Sequence, residues 1–151
     1  RSTMIGRRLS LAALAFLPFV LGACASDDAK KNAPVYPSPT ADSVLTGAVN
    51  YRPRIALTPD AVLKVWLQDI SVPGRPVPLV LDEREIRSPG QVPVAFELRY
   101  DSRAIDPTHV YTILARIYEG DRTRFINVKP FGVLTHGGCM DKCQVLVDPM
   151  Y

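Results

Sequence analysis

Histidine is scarce in this chain: 151 residues hold two, His109 and His136. A catalytic zinc needs three protein ligands and an open position, so a zinc hydrolase has little to draw on. No Gly-x-Ser-x-Gly elbow is present to present a nucleophile, and no glycine-rich loop to cradle a phosphate. An excess of positive charge is also missing. Three of the 18 basic residues, Arg1, Arg7 and Arg8, lie ahead of Cys24, and from Cys24 onward 15 basic residues meet 15 acidic ones. A nucleic-acid-binding domain carries a basic stripe, and none is visible. Long helical periodicity and internal repeats are absent as well. These gaps argue against an enzyme, a cofactor, a small-molecule substrate and a nucleic-acid partner.

The chain is equally short of a membrane-spanning run. Its one apolar stretch, Leu9 to Leu21, has no charge but is only 13 residues long and contains Pro18. About 20 residues are needed to cross a bilayer. Arg7 and Arg8 precede the stretch and the small residues Gly22 and Ala23 follow it, which is the order of a secretory signal. Arg1 to Thr3 come before Met4 and read as sequence upstream of the initiator. The quartet Leu21, Gly22, Ala23, Cys24 resembles the bacterial lipoprotein signal-peptidase motif. That resemblance implies cleavage before Cys24 and acylation of Cys24, with diacylglycerol on the thiol and a fatty acyl chain such as palmitate on the new amine. Three acyl chains, at about 0.8 kcal/mol per buried methylene, hold a protein on a membrane durably. Ala25, in place of an aspartate, implies sorting to the outer membrane, facing the periplasm.

The organisation expected is therefore a signal peptide over 1–23, a lipidated and flexible tether over 24–43, and one domain over 44–151. The tether "ASDDAKKNAPVYPSPTADS" has few sizeable apolar groups and three prolines that favour extended backbone. After Val44 short runs alternate between turn signals: 44–51, 61–70, 77–86, 92–100, 109–119, 123–129 and 144–148. Evenly spaced strands of this kind predict an all-β fold, a single antiparallel β-sandwich of about seven strands or a partly open barrel. In "AVLKVWLQDI" the face of Leu63, Val65, Leu67 and Asp69 is the better core face. Gly47 marks a bulge or a point of close packing. "YEGDRTRF" closes a hairpin through Gly120, and "ALTPDA" and "AIDPTH" each suit one helical turn.

The ordered segments "VLTGAVNYRPRIALTPDAVLKVWLQDIS", "QVPVAFELRYDSRAIDPTHVYTILARI" and "FGVLTHGG" together resemble the YbaY and YscW-like envelope lipoproteins, which include pilotins of type III secretion. The resemblance covers nearly all of 44–138. It implies a compact β-sandwich on a lipid tether, and in pilotin members the binding of a secretin's C-terminal segment and its escort to the outer membrane. The tail "HGGCMDKCQVLVDPMY" departs from that pattern.

In that tail, His136, Cys139, Met140 and Cys143 are all soft-metal ligands, a set suited to Cu(I) and to a periplasmic copper or redox protein. The alternative is a disulfide between Cys139 and Cys143, the usual fate of two nearby cysteines in an oxidising compartment. The acidic run Asp82, Glu83, Glu85 reads as a solvated strand face. For a partner surface the candidates are Trp66, which shares its face with Lys64 and Gln68, together with Tyr111 and Arg116. Core packing is the competing role for the two aromatics. The expected function is a non-catalytic accessory or pilotin-like lipoprotein with an envelope protein partner, the alternatives being the copper protein and a structural surface lipoprotein without a ligand.

Overall fold

The computed structural model describes residues 40–151. Among the described residues nine strands form two sheets: β1 (Ser43–Asn50), β2 (Val62–Asp69), β3 (Leu79–Arg87), β4 (Val94–Tyr100), β5 (Tyr111–Glu119), β6 (Arg122–Ile126), β7 (Phe131–Val133), β8 (Cys143–Leu146) and β9 (Asp148–Pro149). One sheet has the order β4-β1-β8. The other runs β3-β2-β5-β6-β9, with β7 continuing the line of β6 along β5. The all-β sandwich predicted from the sequence is the observed fold. It has nine strands where about seven were expected, because β7 and β9 are too short to leave a pattern. One pairing also departs from the antiparallel plan, since β1 and β8 run parallel.

The alternation in β2 explains its place. Leu63, Val65 and Leu67 are fully buried, and the four residues between and beside them are half-exposed. A strand with one apolar face buries that face and leaves the other toward solvent. The core combines these side chains with Leu45, Val49, Phe96 and Leu98 from the small sheet, and Ile113, Ile117 and Phe125 from the large one. Tyr51 stacks on Phe125 with ring centroids 4.4 Å apart. β1 begins at Ser43, paired with Tyr100, one residue inside the expected tether. Ahead of it, the Asp42 carboxylate accepts from the Ser102 N–H and hydroxyl at 2.8 and 2.7 Å. Those bonds hold its pKa down to about 2.

Gly120 sits at φ +60° in the two-residue loop of the β5–β6 hairpin, as predicted. The two helical turns do not form. The segment at Thr58–Ala61 is a turn closed by Ala61 N–H to Thr58 carbonyl, and Asp106 folds an Asx turn by accepting from Thr108. Side-chain bonding of this kind satisfies the backbone without starting a helix. The 3-10 turn lies instead at Ser102–Ala104, capped by Asp101. Among the described residues no helix is long and apolar enough to cross a membrane.

Candidate functional site

β3 and β4 are edge strands of different sheets that lie side by side without a shared ladder. Side chains make the join. The Asp82 carboxylate accepts the Arg99 N–H at 2.6 Å, and Arg84 Nε donates to the Glu97 carbonyl at 3.0 Å. Both come from the core-side face of β3, opposite Leu67 and Val65 of β2. Charged residues turned inward on an edge strand are one way natural sheets block unwanted edge pairing. Asp82 is fully buried, and its Oδ1 has no hydrogen-bond partner. The acidic run is thus not a uniformly solvated face. The register slips between Leu67 and Gln68, which leaves Leu81 unopposed as a bulge. Bulges re-aim the side chains beside them, and this one lies next to Asp82.

Beside this seam, on the outer face of the small sheet, lies a groove of about 500 Å³. Register builds its floor. Ala48 faces Ala95 on one side and Gln144 on the other, and Gly47 faces Phe96. Ala48 and Ala95, side by side on this face, leave a depression where larger side chains would stand, while Gly47 and Phe96 belong to the opposite, core-facing alternation. A Cβ on Gly47 would come 2.4 Å from the Cys143 carbonyl oxygen and 2.5 Å from the Phe96 ring. The glycine is therefore a close-packing point and not a bulge. Arg84 and Ile86 form one wall, Lys142 and Gln144 the other, and Thr46 and Glu97 close one end. The Thr46 hydroxyl donates to Asp141 and accepts the Lys142 N–H at 3.2 Å, which fixes the second wall.

A second cluster sits where β2 meets β5. Asp69, 4% exposed, holds His109 Nδ1 at 2.7 Å and accepts the Ser71 N–H, while Asp106 lies 3.7 Å from His109 Nε2. The Asp69 bond is the main cause of a raised His109 pKa. With a carboxylate at each ring nitrogen, the imidazole is set to carry charge and to latch two loops.

The residues singled out from sequence fall in different places. Leu21, Gly22, Ala23 and Cys24 lie outside the described residues. Trp66 and Arg116 stand half-buried on the outer face of the large sheet, away from the groove, with Trp66 beside Leu114 and Arg116 beside Lys64. Tyr111 is 2% exposed, and its hydroxyl accepts the Asp106 N–H, so it is a core residue and not a partner surface. Cys139 and Cys143 are joined in a disulfide with Cα atoms 5.8 Å apart. Sulfurs bonded to each other are not thiolates, so the copper set with His136 and Met140 is not assembled. The groove residues were missed because Ala48 and Ala95 are unremarkable until register places them together.

Over residues 40–145 the chain matches the family model described as "Type III secretion system lipoprotein chaperone (YscW)". It is 34% identical over 95 residues to the "Uncharacterized lipoprotein YbaY" of Escherichia coli strain K12, a match covering 62% of this chain and 50% of that protein. The chain thus spans about half the length of that curated relative. Its fold is similar to the solved structure of an alternative pilotin from the type II secretion system of Vibrio cholerae, with a TM-score of 0.66 and 35% identity. That match covers 72% of this chain and 97% of the pilotin.

Proposed function

The chain belongs to the YscW family of lipoprotein chaperones, and on that premise we propose that it is a pilotin-like lipoprotein of the outer membrane, anchored through Cys24, that binds a segment of an envelope protein partner such as a secretin. Its role is accessory and non-catalytic. The observation that carries the reading is the 35% identity to a pilotin along 97% of that protein's length, with the same fold. The groove on the small sheet supports it, because a ready depression is what a carrier needs to hold a client segment without chemistry. A lipid anchor adds effective concentration, keeping client and carrier in one membrane plane so that the groove need not bind tightly. The disulfide favours this reading over a copper protein.

The test is envelope fractionation of cells carrying the wild-type gene, a deletion or Cys24→Ser. The expected result is that the client secretin moves from outer to inner membrane in both altered strains, and that the Cys24→Ser protein becomes soluble. A client that stays correctly placed and assembled in the deletion strain sinks the proposal.

A further inference from the structure

We propose that the groove of the small sheet takes a short peptide segment that points apolar side chains at the Ala48 and Ala95 floor and sets carboxylates against Arg84 and Lys142. This rests on the carrier reading above and names the chemistry of the client.

The floor dictates the first half. It consists of the Ala48 and Ala95 methyl groups and strand backbone, so it offers contact area and few hydrogen bonds to a visitor. A volume of about 500 Å³ lies within the range of ordinary ligand sites, which runs from about 300 to 1,000 Å³. Apolar side chains fill such a space with gain, and polar ones would lose their water.

The walls dictate the second half. Arg84 stands on one and Lys142 on the other, against a single lining carboxylate, Glu97. Arg84 is already oriented, because its Nε is spent on the Glu97 carbonyl and its Nη2 lies 3.8 Å from Asp82. Lys142 is exposed and is positioned through its backbone bond to Thr46. A cation on each side of an apolar floor complements a segment with an apolar face between acidic flanks. Complementary charge at a rim speeds association and selects the partner more than it adds affinity.

The experiment uses the full chain in detergent, with fluorescence anisotropy of two labelled peptides, one repeating Leu-Asp-Leu-Glu and one repeating Leu-Lys-Leu-Arg. Wild type is expected to prefer the acidic peptide by about tenfold or more, with affinity falling as salt rises. Ala95→Trp, at an exposed position, fills the floor and abolishes binding. Lys142→Glu weakens the acidic peptide about tenfold and narrows the preference. Gln68→Ala, outward on β2 of the opposite sheet, changes nothing. Thermal melts check that each variant is folded.

No preference for the acidic peptide, or binding untouched by both Ala95→Trp and Lys142→Glu, overturns the proposal. A wild-type dimer that Ala95→Trp turns into a monomer assigns the groove to a second copy and overturns it too. Secretin placement in the same strains separates the two readings. Correct placement with Ala95→Trp refutes the groove and leaves the carrier role standing. Acidic-peptide binding by a protein whose deletion leaves the secretin undisturbed does the reverse.

Discussion

On one side of the sandwich the polypeptide itself passes from sheet to sheet. β8 pairs with β1, Val147 donates its N–H to the Asn50 carbonyl, and β9 then pairs with β6 of the other sheet. The Cys139–Cys143 disulfide adds a stitch there, since Cys139 bridges to Val133 at the end of β7 while Cys143 starts β8. On the other side β3 and β4 share no ladder, and the hydrogen bonds that join them come from the side chains of Asp82 and Arg84. Backbone closure depends little on which side chains are present. Side-chain closure depends wholly on them, and it leaves the outer face of β4 free to form the groove. The contrast teaches that the stable side holds the domain together and the other side is where surface chemistry can be varied.

The largest effect expected is from Gly47→Val, which strikes the sheet shared by both sides. Its Cβ would run into the Cys143 carbonyl, a backbone atom that cannot swing away, and into Phe96. Overpacking typically costs about 1–3 kcal/mol, and a backbone clash should reach the top of that range or beyond. Urea unfolding measures it, and a loss under about 1 kcal/mol would show that β8 yields easily.

Asp82→Ala comes next, because it strips the Arg99 N–H of its partner inside the seam. An unsatisfied buried donor costs about 1–3 kcal/mol, so a loss of about 2 kcal/mol is expected, with Asp82→Asn losing less. Hydrogen exchange tells the two sides apart. The Arg99 amide should exchange faster in Asp82→Ala while the Val147 amide keeps its protection, and equal loosening of both would erase the contrast.

Replacing both Cys139 and Cys143 by serine should cost less. So short a loop is worth at most about 2 kcal/mol in chain entropy, and β8 and β9 still carry the crossing. Groove binding should drop modestly, because the disulfide loop holds Lys142. A collapse of the fold on reduction would mean that the stitch, and not the backbone, closes that side.

The smallest effect is the pH dependence of the His109 latch. Its folded pKa is raised above 6.5 by Asp69, with Asp106 adding to it. The latch therefore contributes fully below pH 6.5 and is lost as pH rises through the higher folded value. Melting curves of wild type and His109→Gln should lie furthest apart in mild acid and converge toward alkaline pH. A gap that widens with rising pH would reverse the assignment.

Legibility from sequence followed the length of the pattern. β2 was readable because its buried and outward positions alternate over eight residues, and β5 because its positions alternate from Ile113 to Tyr118. β7 and β9, at three and two residues, exist because neighbouring strands supply hydrogen-bond partners, and nothing local announces them. Asn127 shows the same limit. Its side chain accepts the Ala115 N–H and donates to the Ile113 carbonyl, standing in for backbone between β6 and β7. Asp82 was misread for a related reason, since a carboxylate in a charged run looks solvated until a bulge and an unpaired edge give it a buried donor to accept from.

Local chemistry by itself determined the all-β class, the core face of β2, the β5–β6 turn and the pairing of two nearby cysteines, because each depends on residues close along the chain. Tertiary structure alone decided which strands are edges, how the two sides close, and that Ala48 and Ala95 share one floor. Those outcomes depend on register between strands distant in sequence, where a shift of one residue would turn every side chain to the opposite face.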